Sequence, residues 1–499
     1  MEKVSVTFRD YDRKQQAAEY MLLFFVSLIF LLLFSLWTSP FYKNWYGCDA
    51  SFFTLVGRGI TEGKIMYRDF YDLKGPYFFF IEALGQLFIK GRLGIFILQL
   101  IALYASVVLI WNISLLFISK AKSSFIVAVF FFGHIATLWG GNTLEEFFLP
   151  ISLLCLYLLC RFYVKASADG SYDITVPFWY SLLLGFSLGL IVFAKISVSG
   201  TVLGIIAALG FIMMSKKKWQ ELFLFILYVI LGLMIATVPI IVYYSVNGCL
   251  MDMLNCVFIT GFKRSRDFAE LFNATWELKC SGAVFAFVFA VTHKKRCQKE
   301  LCVVLMAMSA ATYLLLHLGT PFYYYFTSVY PCLILALAMM LKCYEPMLLF
   351  ESFPQAVSLI LFSVYLLYYI PASLGTVRTA LYDRQNTSYE SYVNDSKDIA
   401  ALIPEMERDE VFSFMLDMQW YEINNIMPCN RYVVNLPFFI ALDENALPEL
   451  LDFLNDTPPK WLVIGQDFEA NLPDIAQVVY SKYTCIYDNS VGELYLLDE

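Results

Sequence analysis

Long apolar runs dominate the chain, with polar residues gathered between them. The apolar blocks predict spans at 20–37, 94–118, 124–139, 147–164, 178–194, 198–214, 220–245, 280–292, 301–317, 326–341 and 355–375. Most approach the ~20 residues a helix needs to cross a bilayer, so the pattern predicts an α-helical polytopic membrane protein with about eleven transmembrane helices. The block at 280–292 is short for a span. The segment 76–89 is apolar over only one interfacial helix, and is expected to lie on the membrane with Glu82 and Lys90 at its polar positions. Beyond 372 the pattern changes. A polar linker at 378–395 leads into a helix at 397–403, a strand at 410–416 and an amphipathic helix at 447–454 that Pro458 and Pro459 stop. Strands follow at 461–464, 483–487 and 493–497. This predicts a membrane domain over 1–377, with a first extracytoplasmic loop at 38–93, and a small C-terminal α/β domain over 378–499.

Composition narrows the class. Of 499 residues, 59% are hydrophobic and 16% charged, whereas soluble domains are about 45–50% apolar and about 25% charged. A single soluble domain, a disordered chain and a disulfide scaffold are excluded. So is a β-barrel, whose strands would be short and alternating. The net charge is −8, unevenly placed: from Arg378 onward there are 7 basic and 22 acidic residues, so a basic membrane part precedes an acidic tail. That tail makes nucleic acid an unsuitable partner. The 12 cysteines form no CxxC pair; Cys155, Cys160, Cys302 and Cys332 sit in apolar runs as packing residues, while Cys429 and Cys485 are placed to pair in the tail. His134, His293 and His317 lack metal-ligand spacing, so neither a metal nor another cofactor is expected.

Basic residues set the expected orientation. Lys3, Arg9, Arg13 and Lys14 precede the first span with no small-residue cleavage site after it, which reads as an uncleaved anchor with a cytoplasmic N-terminus. Lys120, Lys122, Arg161, Lys165, Lys216, Lys217, Lys218, Lys294, Lys295, Arg296, Lys299 and Lys342 then fall on the inside. Seven basic residues in the first outside loop run against this, but that loop approaches the length where the rule weakens. An odd number of spans places the acidic tail outside the cytoplasm of a multi-pass cell-membrane protein.

The outside loops carry more polar residues than connections need. Asp49 lies just past the first span, at the start of an amphipathic stretch over 50–61. A carboxylate there, among aromatic residues, suits a general base. Arg58, Arg68 and Lys74 supply positive charge for a phosphate, and Asp69 and Asp72 lie beside them; ordinary ion pairs of a solvated loop are the competing account. Glu145 and Glu146 open the fourth span. Adjacent helical residues face different ways, so at most one points into a site, with Glu145 preferred; favouring the helix dipole is the alternative. Lys195 stands alone between two spans, as a functional lysine or a snorkelling end residue. Arg264, in a cluster with Lys263, Arg266 and Asp267, either holds anionic phosphate or flanks a surface helix. Tyr323 and Tyr324 open the tenth span, as an interface belt or as a surface that stacks on a sugar or lipid.

At these residues the chain resembles the GT-C superfamily of polytopic glycosyltransferases that use lipid-phosphate-linked sugars. It is similar to the branch holding protein O-mannosyltransferases and lipid A aminoarabinose transferases. Asp49, the stretch 67–76, Glu145-Glu146, Lys195, the stretch 319–331 and the soluble tail carry the likeness, which spans nearly the whole chain. It implies that Asp49 is the catalytic residue of an inverting, single-displacement transfer. It also implies a polyprenyl-phosphate-sugar donor, a lipid, protein or polysaccharide acceptor, and membrane lipid as surroundings. Lys74, Gly75 and Pro76 match the family's lysine-proline element, with glycine where a second proline is common. Cys48 and Ala50 stand where many members have a second acid, a departure that argues against a first-loop metal site. The competing class is a transporter or flippase of lipid-linked sugars, which would need polar residues inside several spans; most charges here sit at span ends.

Overall fold

The computed structural model describes residues 13–42, 47–169, 174–261, 274–294, 297–317, 322–343, 353–383 and 388–498. Helix α1 (Arg13–Phe34) leads into the first loop, which folds as α2 (Cys48–Thr61) and α3 (Pro76–Phe88). Then come α4 (Arg92–Leu115), α5 (Lys120–Leu138), α6 (Leu144–Ala168), α7 (Phe178–Val192), α8 (Gly200–Ser215), α9 (Trp219–Val246) and the short α10 (Leu250–Leu254). The bundle closes with α11 (Ala274–Lys279), α12 (Ser281–His293), α13 (Lys299–His317), a 3-10 turn (Tyr323–Val329), α14 (Tyr330–Cys343) and α15 (Phe353–Asp383).

Every predicted span coincides with a helix. Among the described residues eight helices are long and apolar enough to cross a membrane; α7, α8 and α12 are shorter. The 13 residues of α12 reach only about 20 Å at 1.5 Å per residue, against a ~30 Å hydrocarbon core. The same arithmetic keeps the 13-residue α3 from spanning. Its polar face departs from expectation: Glu82 is fully buried, while Leu84, Leu87 and Phe88 are exposed. The helix is apolar on both sides: Glu82 turns into the protein together with Phe78, Phe79 and Ala83, and the exposed side is left apolar.

Between helices, close approach depends on glycine. A Cβ on Gly185 would sit 1.9 Å from the Val229 carbonyl oxygen, and one on Gly232 would sit 2.1 Å from that of Leu182. The α7–α9 pair therefore meets backbone to backbone, as small residues allow where lipid offers no hydrophobic drive between helices. Gly200 and Gly204 seat α8 on Thr312 and Met308 of α13 in the same way.

Helix α15 continues to Asp383 and α16 (Ser388–Ala401) follows, so most of the expected linker is helical. The tail adds β1 (Val411–Phe414), α17 (Gln419–Asn424), α18 (Leu436–Leu442), α19 (Ala446–Asp456), β2 (Trp461–Ile464), α20 (Phe468–Asn471), α21 (Pro473–Lys482), β3 (Tyr483–Asp488) and β4 (Glu493–Leu497). The sheet order is β1-β2-β4-β3, with β1 and β2 parallel and the other pairs antiparallel. Both parallel strands are buried throughout, which explains their unbroken apolar runs. Cys429 and Cys485 do not pair: both are free, Cys429 half-buried and Cys485 exposed on β3. Cys155, Cys160, Cys302 and Cys332 are buried packing residues.

The α7–α9 contact has a measurable signature. Gly232→Ala must push Leu182 or the helices apart and should cost about 1–3 kcal/mol. Gly210→Ala meets nothing nearer than 3.8 Å and should be neutral or slightly stabilising. Thermal unfolding in detergent compares the two; equal midpoints would contradict the packing.

Candidate functional site

Three chain segments meet at one indole. Trp37, just past α1, donates its backbone N–H to the Gly140 carbonyl at 2.9 Å. Its ring fills the space where a Cβ on Gly47 or Gly140 would stand, at 2.4 and 2.6 Å. Both glycines have positive φ, 68° and 88°, which side chains with a Cβ disfavour. Gly47 caps α2 and Gly140 lies just before α6. The indole thus brings the helix start bearing Asp49 beside the helix start bearing Glu145 and Glu146.

The two adjacent acids separate. Glu146 turns back on its own helix: its Oε1 accepts from the Thr143 N–H at 3.1 Å and hydroxyl at 2.8 Å, closing a capping box. Its Oε2 accepts from Gln99 Nε2 at 2.5 Å. Gln99 Oε1 in turn accepts from the hydroxyls of Thr38 and Ser35, at 2.6 and 3.1 Å. Glu146 therefore anchors a buried polar network joining α1, α4 and α6. Glu145 points the other way and accepts from Lys195 Nζ at 2.6 Å through Oε1. Its Oε2 is buried with no hydrogen-bond partner among the described residues.

Lys195 is clamped on two sides. Besides Glu145, its ammonium stands 3.3 Å over the Tyr325 ring centroid and 5.2 Å from that of Tyr324. Tyr324 in turn lies within electrostatic reach of both Glu145 and Asp49. Glu145, Lys195, Tyr324 and Tyr325 form one cluster, and Asp49 lies near enough to Tyr324 to act on it electrostatically. Asp49 is half-exposed, while the next residues along α2, from Ala50 to Phe53, are buried.

Lys74 reaches the same region from the first loop. Its ammonium stands 4.5 Å over the Phe53 ring, one helical turn from Asp49. The backbone beside it is locked to the Lys195 segment: the Gly75 N–H donates to Ala194 O at 2.8 Å. A Cβ on Gly75 would lie 2.0 Å from Phe193 O, so only glycine fits there. Asp72 accepts from the Lys74 N–H at 2.7 Å and pairs with its ammonium at 3.5 Å. Asp69 closes a turn by accepting from the Ile65 N–H at 2.6 Å and pairs with Arg68. Both first-loop acids shape the loop.

Arg58 lies elsewhere. It is buried in the contact with the C-terminal domain, 3.4 Å from Glu422, and donates to Asn425 Oδ1 at 2.8 Å and to the carbonyls of Ile426 and Tyr421 at 2.7 and 3.3 Å. This replaces the expected phosphate role with a bracket holding α2 to the tail. Tyr323 and Tyr324 also diverge: Tyr323 stacks on Trp139 and lies 4.4 Å beneath the Lys279 ammonium. Arg264 lies outside the described residues. Among the described residues no three His, Cys, Asp or Glu side chains come together as metal ligands.

Sequence reasoning missed several of these groups. Gln99 was legible as a polar residue inside a predicted span. Trp37, Tyr325 and Lys279 carried no signal beyond residue type. The docking residues of the tail carried none. Arg431 donates to Tyr67 O at 3.3 Å and pairs with Asp252 at 3.3 Å and with Glu449 at 2.5 Å. Tyr71 donates its N–H to Arg431 O at 3.0 Å and its hydroxyl to Asp443 at 2.8 Å.

Two carboxyls, Glu422 and Asp417, line the contact between the first loop and the tail, and a third, Glu82, is buried within the first loop. Burial pushes Glu82 well above the ordinary carboxylate range, with Asn142 opposing and the Glu422 charge adding to the rise. Burial also raises Glu422, against the pull of Arg58, and raises Asp417, against its hydrogen bonds from Gln419 and Ser51. An acid whose folded pKa is raised holds its proton more tightly when folded, so the stability it contributes is lost as pH rises above about 4.5 through the folded value. Hydrogen exchange at 419–424, corrected for its intrinsic pH dependence, should show protection falling with rising pH. Glu422→Gln should flatten that dependence; protection that climbs with pH would contradict it.

A family model described as the putative competence-induced protein Ccs4 N-terminal domain matches residues 9–349. No curated protein matches the chain in sequence. Among solved structures, the chain is similar to ArnT from Cupriavidus metallidurans bound to undecaprenyl phosphate, with TM-score 0.61 and 13% identity over 96% of this chain and 98% of that one. The apo state of the same ArnT gives TM-score 0.57 at 13% identity, with the same coverage of each chain. The apo oligosaccharyltransferase of Archaeoglobus fulgidus gives TM-score 0.52 at 12% identity, over 96% of this chain and 74% of that one. The chain therefore shares the fold of this ArnT and this oligosaccharyltransferase, tail included.

Proposed function

The chain belongs to the family of the putative competence-induced protein Ccs4 N-terminal domain, and from that premise and the geometry of the site we propose that it is an inverting glycosyltransferase. It would move a sugar from a polyprenyl-phosphate donor to an acceptor hydroxyl on the extracytoplasmic side. The observation that carries this reading is the approach of a half-exposed carboxylate, Asp49, to Tyr324 beside a lysine, Lys195, that Glu145 and the Tyr325 ring hold in place. The likeness to an ArnT bound to undecaprenyl phosphate supports the donor class.

In this reading the donor's tail lies in lipid beside the exposed apolar face of α3, and its head reaches the cluster. Asp49 takes the proton of the acceptor hydroxyl as that oxygen attacks the anomeric carbon. The bond from this carbon to the phosphate oxygen breaks as the new bond forms, and polyprenyl phosphate leaves with the electron pair. The configuration at the carbon inverts. Lys195 and Lys74 meet the charge that grows on the phosphate. Both are held before the reaction begins, by Glu145 and Tyr325 in one case and by Phe53 and Asp72 in the other. The free Oε2 of Glu145 is an acceptor for a sugar or substrate hydroxyl.

The test is release of polyprenyl phosphate from a panel of polyprenyl-phosphate sugars by the protein in lipid, with candidate acceptors supplied. Asp49→Asn should lower release about 10²–10⁴-fold with the fold intact. Lys195→Gln, which still donates to Glu145, should lower it about 10²–10³-fold. Undiminished release by a folded Asp49→Asn protein would remove Asp49 from the reaction. Sugar carried across the bilayer with the donor bond unbroken would replace transfer with transport.

A further inference from the structure

One end of the bundle collects many basic side chains, and several of them are held by neighbours. Lys120 pairs with Glu19, Lys122 donates to the Leu341 carbonyl at 3.2 Å, and Lys216 pairs with Glu300. Lys218 pairs with Glu221 at 3.2 Å, and Lys342 stands 5.5 Å over the Phe117 ring. Arg161 and Lys165 are distinguished by the groove they line. They lie four residues apart on the last turns of α6, so they share a face, and both are exposed. Among the described residues neither has an acidic partner; Arg161 only overlies its neighbour Tyr157 at 5.7 Å.

Beneath these two cations lies a groove of about 270 Å³ between the ends of α4 and α6 and the start of α7. Leu116, Leu158, Phe162 and Trp179 form its walls, which are almost wholly apolar. Its volume falls short of the ~300–1,000 Å³ of pockets that enclose a whole ligand, so it suits a length of hydrocarbon entering from the side. Trp179 is 43% exposed and the adjacent Phe178 is 60% exposed, the aromatic signature of a headgroup boundary. Two exposed positive charges, without an acidic partner among the described residues, above an apolar groove at that boundary match a single molecule: an anion on top and an acyl chain below.

We propose that this groove is a binding site for an anionic phospholipid of the surrounding membrane, its phosphate held by Arg161 and Lys165 and one acyl chain packed against Leu158, Phe162 and Trp179. The helix C-terminus accounts for basic residues in its last turn, because the dipole favours them. It does not account for the apolar groove that these two cations line. The site lies on a different face from the Asp49 cluster, and its occupant is independent of the proposed sugar transfer.

Native mass spectrometry of the full chain, released from micelles holding equal dioleoyl phosphatidylglycerol and dioleoyl phosphatidylcholine, tests this. The wild type should retain phosphatidylglycerol preferentially. The Arg161→Gln/Lys165→Gln double variant should bind it roughly 30-fold more weakly, which is about 2 kcal/mol for two charges near a membrane surface. Leu158→Trp, which fills the groove and leaves the charges, should also abolish the retention. Lys120→Gln/Lys122→Gln, at the same end, should leave it unchanged. Equal retention of the two lipids, a double variant that binds like wild type, or an equal loss in the Lys120/Lys122 variant would each overturn the proposal. If the charge variant does not stay monodisperse, Leu158→Trp decides, and retention by it counts against the site.

Discussion

The spacing of the candidate site rests on one wedge of aromatic carbon. Trp37 occupies volume that only two glycines leave open, and both glycines take backbone angles that other residues avoid. The start of α2 and the approach to α6 can come together there and nowhere nearer. This contact has a chemical consequence. Helix starts concentrate unpaired N–H groups and partial positive charge, so carboxylates gather at them. Two such starts placed side by side bring Asp49 and Glu145 into one neighbourhood, where Lys195 is held by Glu145 on one side and the Tyr325 ring on the other.

The acids and cations of the site divide between holding and facing outward. Glu146 and Asp72 are occupied by backbone N–H groups, and Gln99 commits both ends of its amide to the bundle. These bonds leave the reach of the site intact, because they fix the frame from which Glu145, Lys195 and Lys74 extend. A long ammonium side chain ordinarily loses rotamer freedom when it meets a ligand. Lys195 has lost it already, between the Glu145 carboxylate and the Tyr325 face. Preorganised charge of this kind stabilises a developing anion without having to reorganise as it forms.

How much of this could be read from residues alone depends on the range of each interaction. The membrane helices were legible because length and apolarity are local properties, and the two parallel tail strands were legible because strands buried throughout leave unbroken apolar runs. The separation of Glu145 from Glu146 was also legible, since adjacent helical positions face apart. Glu82 was misread because the period of α3 identifies an apolar face but not which face meets lipid. Arg58 was misread for a related reason: charge and loop position suggest a phosphate, while the real partners lie more than 360 residues away in the tail. Gly75 looked like a departure from a family pattern, and only the position of the Phe193 carbonyl shows why nothing larger fits.

The tail's attachment obeys the same logic of long-range contact. Its acidic character suggests a free, solvated module, yet its link to the membrane domain runs through buried groups. Arg58 enters from α2 and is met by a carboxylate, an amide and two carbonyls of the tail, while Arg431 enters from the tail and is met by the Tyr67 carbonyl and Asp252. Each side thus lends one guanidinium, whose planar set of donors satisfies several acceptors at once. Desolvating a charge is costly unless its partners are in place, so such a bracket favours a single register over sliding. Because Arg58 and Asp49 belong to one helix, the register of the tail and the position of the candidate base are mechanically the same variable.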